Sequence, residues 1–222
     1  MKRFSVLGDS ISTLFGYSQP PEAAYYTYDR CRETGVFDMA DTWWGQVIAA
    51  LGGELLVNNS FAGSTVSRLP IHEIPSYGCS DERTAALGKS PDVILVLLGL
   101  NDCGNGVKLR PDAGEEQSPA VFSVAYTLML EKLKRNYPHA DIRCLTLPVR
   151  HTEDARREER LRRIIGPYCQ VIRECAAAQG CRVVELFDAK AYPTRDLVHP
   201  TAEGMKIIAD AVLGQLAKEE GI

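Results

Sequence analysis

Val93-Ile94-Leu95-Val96-Leu97-Leu98 is apolar at every position. A strand with one face in water alternates apolar and polar residues; an unbroken run belongs to a strand covered on both sides, as inside a parallel sheet. Four further short runs, at residues 4–7, 55–58, 142–147 and 183–187, are mostly apolar, β-branched or Leu-rich, as strands are. Longer segments of helical character separate them, at 42–51, around 81–87, and at 119–136, 154–179 and 201–218. Val121, Ala125, Leu128, Met129 and Leu133 recur at helical spacing, and Tyr137-Pro138 ends that segment. Ile207, Ile208, Ala211, Val212 and Leu216 make an apolar face on the last segment, with Thr201 placed to cap it. Repeated strand–helix alternation predicts an α/β fold with a five-stranded parallel sheet and helices on both faces. The 222 residues fit one such domain, spanning 1–222.

Composition narrows the partners. A formal net charge of −4 gives no global attraction to nucleic acid or to an anionic membrane. No apolar run approaches the roughly 18 residues of a membrane span. The seven cysteines form no Cys-x-x-Cys pair, which argues against a zinc site, and an odd set of thiols fits a reducing compartment better than a disulfide framework. The stretch between Lys2-Arg3 and Gly8 is too short for the apolar core of a leader. The expectation is therefore a soluble cytoplasmic protein, with secretion left open if a leader had been trimmed. Homo-oligomers are neither required nor excluded.

In parallel α/β sheets ligands gather where the strands end. Gly8-Asp9-Ser10, the polar stretch 58–63 and Gly99-Leu100-Asn101-Asp102 each follow a predicted strand directly, so three clusters would meet on one rim. A fourth, Asp196-Leu197-Val198-His199, lies near the other end of the chain. A serine hydroxyl is a weak nucleophile unless a base takes its proton, and that base works best when a carboxylate holds its ring. Ser10, Asp196 and His199 supply all three parts. Together they suggest an acyl-transferring serine hydrolase.

These four clusters, in this order, resemble the SGNH (GDSL-type) hydrolases. Gly8-Asp9-Ser10 resembles the first block, with Ile11 where the name pattern has leucine. Gly63, within Asn59-Ser60-Phe61-Ala62-Gly63-Ser64, resembles the second. Gly99-Leu100-Asn101-Asp102 resembles the third, and Asp196-Leu197-Val198-His199-Pro200 the last. The resemblance implies a three-layer α/β/α sandwich, flavodoxin-like in outline. It implies Ser10 as nucleophile, His199 as general base and Asp196 as the residue that orients it. It further implies an oxyanion hole made by the N–H groups of Ser10 and Gly63 and the Asn101 amide, with no metal or organic cofactor. The expected activity is hydrolysis of carboxylic esters, with short acyl (acetyl) esters of a carbohydrate or another small polar molecule favoured because no strongly apolar lid segment is present. A thioesterase, an acyltransferase using the same three residues and a non-catalytic binding module on this fold remain alternatives. A nucleotide-binding flavodoxin-like protein is disfavoured, since no glycine-rich cradle follows the first strand.

Other residues carry weaker expectations. Tyr25, Tyr26 and Tyr28, in the long loop 15–41, could wall a substrate site or fasten the loop down, and at least one of Trp43 and Trp44 is expected in the core. Arg68 could meet an anionic substrate group or pair with a carboxylate. His72 and His151 could line the cleft, whereas His139 is expected to face solvent. Asp9 and Asp102 are expected to be structural hydrogen-bonding groups. The mixed-sign run 153–163 reads as a solvated helix face with i,i+4 pairs.

Overall fold

A computed structural model describes residues 1–18, 20–70, 76–114 and 116–220, with side chains described through 216. Five parallel strands, β1 (Arg3–Gly8), β2 (Glu54–Ser60), β3 (Val93–Leu97), β4 (Asp141–Leu145) and β5 (Arg182–Val184), form one sheet in the order β2-β1-β3-β4-β5. This is the doubly wound flavodoxin-like order, and its topological switch point lies between β1 and β3.

The apolar run of β3 divides between the two faces as its pleat requires. Ile94 and Val96 join a core with Phe122, Tyr126, Met129 and Ile172. Those partners come from α5 (Phe122–Asn136) and α6 (Ala155–Ala178). Val93, Leu95 and Leu97 join the opposite core with Trp43, Trp44, Val47, Met205 and Ile208. Those partners come from α2 (Trp43–Ala50) and α7 (Ala202–Glu220). Helices therefore cover the sheet on both sides, giving the expected three layers. Both tryptophans are fully buried and hydrogen-bond to Ser12, Trp43 through the hydroxyl and Trp44 through the carbonyl, which ties α2 to the exit of β1.

Three short α-helices accompany these elements among the described residues. The loop 15–41 contains α1 (Tyr28–Thr34), ended by Gly35 in the left-handed region at φ 77°. Ser80 caps α3 (Asp81–Ala85) by accepting from the Arg83 N–H. Residues 100–104, shortly after β3, form α4 (Leu100–Gly104). In α6, the expected solvated face carries the pairs Glu158–Arg162 and Glu159–Arg163.

Candidate active site

The turn that leaves β1 is set by sequence at each step. A Cβ on Gly8 would lie 2.6 Å from Ser12 Cβ and 2.9 Å from Ser60 Oγ, so only glycine lets the strand end there. Asp9 then accepts the Ile11 N–H on Oδ1 at 3.0 Å and caps the single 3-10 turn Ser10–Ser12. Ser10 is the first residue of that turn, and its N–H donates to no acceptor among the described residues. Asp9 is thus structural, as expected. Burial pushes its carboxyl up to about 7, opposed by the Ile11 N–H and assisted by the nearby Asp102.

His199 lies 189 residues later, yet its Nε2 is 2.9 Å from Ser10 Oγ. Its Nδ1 is 2.8 Å from Asp196 Oδ2. Both oxygens of Asp196 are occupied twice. Oδ1 accepts the N–H groups of Val198 (3.2 Å) and His199 (2.9 Å), and Oδ2 accepts the His199 ring N–H and the Tyr25 hydroxyl at 2.5 Å. Four donors exhaust the lone pairs of a carboxylate. Burial alone would raise the Asp196 carboxyl, but these donors together hold it well below the usual carboxylate range. An ionised Asp196 can only accept, so Nδ1 of His199 carries the proton and Nε2 presents a lone pair to Ser10. Burial lowers the His199 pKa against the opposing pull of Asp196, and the Arg30 charge adds to the lowering. The imidazole is therefore neutral at pH 7. The turn that achieves this holds exposed Leu197 at φ 67°, a conformation non-glycine residues rarely adopt.

Tyr25 packs against the imidazole itself. Its ring is 8% exposed and stacks on His199 with centroids 3.3 Å apart and planes 13° from parallel, while the Arg30 guanidinium covers the ring at 4.3 Å. Its ring covers one face of the imidazole while its hydroxyl meets Asp196. Tyr26 is fully buried, its hydroxyl donating to the Pro200 carbonyl at 2.8 Å, so it offers no face to a ligand. Tyr28 is exposed and stacks with Arg32. Arg68 is exposed and is absent from the walls of the cavity beside Ser10. His139 and His151 are exposed and do not line that cavity, and His72 lies outside the described residues.

Of the other two strand-end clusters, Leu100 and Asn101 line the cavity beside Ser10, and the chain leaving β2 meets the exit of β1 where the Phe61 N–H donates to the Gly8 carbonyl at 3.1 Å. Gly63 sits at φ 77° in a turn closed by the Ser64 N–H on the Phe61 carbonyl at 3.0 Å, and its own N–H has no acceptor among the described residues. Asn101 donates one amide hydrogen to the Ser64 carbonyl at 2.9 Å, which leaves the second free. Asp102 fixes this loop against α4 by accepting the N–H groups of Val66 (2.7 Å) and Ser67 (3.0 Å). Beneath it lies a residue with no signal in the sequence, Arg83. Its buried guanidinium donates to the carbonyls of Gly8 (2.9 Å), Asn59 (2.8 Å) and Ser76, and to Ser64 Oγ (2.8 Å). One side chain thereby ties the exits of β1 and β2 to the Gly63 loop. A lone arginine on a short polar helix could not be distinguished from a surface charge.

Beside Ser10 lies a cavity of about 170 Å³, lined by Ile11, Leu100, Asn101, Pro148, Arg150 and Ile165 among others. A larger groove of about 730 Å³ along β2 takes none of its walls from Ser10, Asp196 or His199. Among the described residues no group of three or more His, Cys, Asp or Glu could hold a metal ion. No helix among them is long and apolar enough to cross a membrane.

Ser10, His199 and Asp196 are joined at the switch point of a parallel α/β/α sandwich, and membership of an acylhydrolase family makes the protein a serine ester hydrolase. Residues 2–216 match the model of the GDSL-like Lipase/Acylhydrolase family, and the chain belongs to that family. Similar solved structures include a protein described as a GDSL-like lipase from Bacteroides ovatus, with TM-score 0.77 and 26% identity over 98% of this chain and 99% of that one. A second, from Bacteroides uniformis, has TM-score 0.73 and 28% identity over 98% and 96%. Est24, a carbohydrate acetylesterase from Sinorhizobium meliloti, shares the fold with TM-score 0.65 at 14% identity over 99% and 100%. No curated protein matches the sequence.

Proposed function

We propose that this protein hydrolyses short-acyl esters of small polar molecules through Ser10, His199 and Asp196. The observation that carries the reading is the relay itself: Ser10 Oγ to His199 Nε2 at 2.9 Å, and His199 Nδ1 to Asp196 Oδ2 at 2.8 Å. Ser10 Oγ attacks the acyl carbon as its proton passes to Nε2, and the imidazolium that forms is stabilised by Asp196. Charge developing on the carbonyl oxygen meets the N–H groups of Ser10 and Gly63 and the free Asn101 amide hydrogen, each such donor contributing roughly 3 kcal/mol. The alcohol leaves with the proton from Nε2. Water then gives a proton to His199, attacks the acyl-Ser10 ester, and the free acid departs as Ser10 regains its proton.

The short-acyl preference rests on the cavity. At about 170 Å³ it is well under the roughly 300 Å³ at which drug-sized ligand sites begin, and its walls include apolar Ile11, Leu100, Pro148 and Ile165. Such a space suits an acetyl group or something little larger. The carbohydrate acetylesterase among the proteins of this fold fits the same reading.

Intact-mass analysis after treatment with a fluorophosphonate probe, comparing wild type with Ser10→Ala, tests the nucleophile. A single adduct that vanishes in the variant is expected. Labelling that persists in Ser10→Ala, or a folded wild type that takes no label, would overturn it. Turnover of 4-nitrophenyl acetate should exceed that of the octanoate, and the reverse order would remove the short-acyl preference.

A further inference from the structure

We infer that Arg150 forms an anion subsite beside Ser10, so that the preferred substrate is an ester carrying a carboxylate within a few bonds of the scissile carbonyl. The inference rests on the esterase reading above and names the substrate class of that site. Arg150 lies five residues beyond the end of β4, where its backbone pairs with Tyr192 in an isolated parallel bridge. The His151 N–H donates to the Tyr192 carbonyl at 2.8 Å and the Tyr192 N–H to the Val149 carbonyl at 3.2 Å. Both flanks are thereby fixed, and the side chain lines the same cavity as Ser10 and Asn101.

What sets Arg150 apart from exposed arginines that also lack a side-chain partner among the described residues, such as Arg68, Arg156 and Arg160, is that it is half-buried with a shielded donor. Arg110, Arg162, Arg163, Arg173 and Arg195 each meet a glutamate on the surface. Arg150 is half-buried, makes no ion pair or side-chain hydrogen bond among the described residues, and keeps its Nε shielded from water without an acceptor. A buried donor of a charged group is rarely left unmet in a folded protein. Among the remaining cavity walls, Ile11, Leu100, Pro148, Ile165 and Val198 are apolar, Asp9 accepts the Ile11 N–H on one oxygen, and Ser10, Asn101 and Tyr192 are engaged with His199, the Ser64 carbonyl and the Val198 carbonyl. A guanidinium presents Nε and Nη in a planar fork that matches a carboxylate. The cavity of about 170 Å³ keeps such a carboxylate close to the ester. The charge could sit on the acyl side, as in a half-ester of a short dicarboxylic acid. It could equally sit on the alcohol side, as in an acetylated sugar acid.

Two matched pairs separate these sources: 4-nitrophenyl hemisuccinate against 4-nitrophenyl butyrate, and an acetylated glucuronoside against the acetylated glucoside. At least one charged member should be favoured in kcat/KM by about tenfold or more, the scale of one charge-assisted hydrogen bond. Arg150→Gln should erase that ratio and Arg150→Lys should restore part of it. A wild type indifferent to charge in both pairs, or a preference that survives Arg150→Gln, overturns the subsite. Binding is read separately by NMR titration of succinate and glucuronate into Ser10→Ala, where no acyl transfer can occur. Saturable millimolar binding of at least one anion, lost on adding Arg150→Gln, supports the subsite even if no ester is turned over, in which case the esterase reading is the one that fails. Absence of binding of both anions to Ser10→Ala, with neutral esters hydrolysed by wild type, overturns the subsite and leaves the esterase reading intact.

Discussion

Removing the Tyr25 hydroxyl alone distinguishes a residue that steadies the base from one that touches substrate. In Tyr25→Phe the ring keeps its 3.3 Å stack on His199 and its cover by Arg30, but the 2.5 Å bond to Asp196 Oδ2 is gone. A hydrogen bond to a charged group contributes about 1.5–3 kcal/mol when well sheltered. The Asp196 side chain is 26% exposed, so water replaces part of the loss and roughly 1–1.5 kcal/mol is the fitting scale. That corresponds to a fall of about five- to tenfold in kcat, with KM little changed. Tyr25→Ala also removes the stack and opens the imidazole to solvent, and should cost about a further tenfold. The assay is steady-state hydrolysis of 4-nitrophenyl acetate, with thermal melts to confirm folding. A Tyr25→Phe enzyme with wild-type kcat, alongside a Tyr25→Ala enzyme whose defect lies wholly in KM, would refute the reasoning and return Tyr25 to the substrate wall.

Asp196→Asn should lower kcat by roughly three orders of magnitude or more while the melting temperature hardly moves, because an amide facing the ring stabilises the tautomer with its proton on Nε2. The wild-type pH profile of kcat/KM should keep its activity as pH falls to about 6.5 and lose it only below, since burial lowers the His199 pKa and the base works only when neutral; an acid limb above that value would contradict the buried imidazole. Gly63→Ala places a Cβ in open space but at φ 77°, so about 1 kcal/mol of stability should be lost to backbone strain and kcat should drop ten- to hundredfold as the turn shifts its N–H; full activity in a destabilised variant would remove that N–H from the oxyanion hole. The Asp9 carboxyl titrates near 7 in the fold against 3.8 when free, so between those values the native state holds a proton the unfolded chain has released, and stability falls as pH rises. Asp9→Asn, which can still accept the Ile11 N–H, should therefore gain on wild type by on the order of 4 kcal/mol, roughly 10 °C in Tm, between pH 4 and pH 8, and a constant difference across that range would exclude the effect.

The sheet was legible because burial on both faces makes β3 an unbroken apolar run, and β1, β2 and β4 lie where shorter, mostly apolar runs fall. The fifth run was overread at its end. Beyond Val184 the N–H groups of Leu186 and Phe187 donate to the Thr146 hydroxyl and that of Glu185 to Gln215, so the chain leaves the ladder although Leu186 and Phe187 are apolar. The short helices α1 and α4 hold too few turns to display a period. Ser10, Asp196 and His199 could be read because each sits in a short string whose order along the chain is distinctive. The contacts of Tyr25, Arg83 and Arg150 could not, since each depends on partners brought close only by the folded sheet: Tyr25 and Asp196 are 171 residues apart, and Arg83 and Gly8 are 75.

The sheet ends at Val184, yet the imidazole that Ser10 needs arrives at residue 199, on a segment that adds no strand. Scaffold and chemistry are therefore carried by different stretches of chain. The segment that bears the imidazole is held by the hydroxyls of Tyr25 and Tyr26, from the loop that follows β1, and it runs directly into α7. A local shift of that turn would silence Ser10 in the proposed relay without removing a strand, a change that circular dichroism of the sheet would not detect.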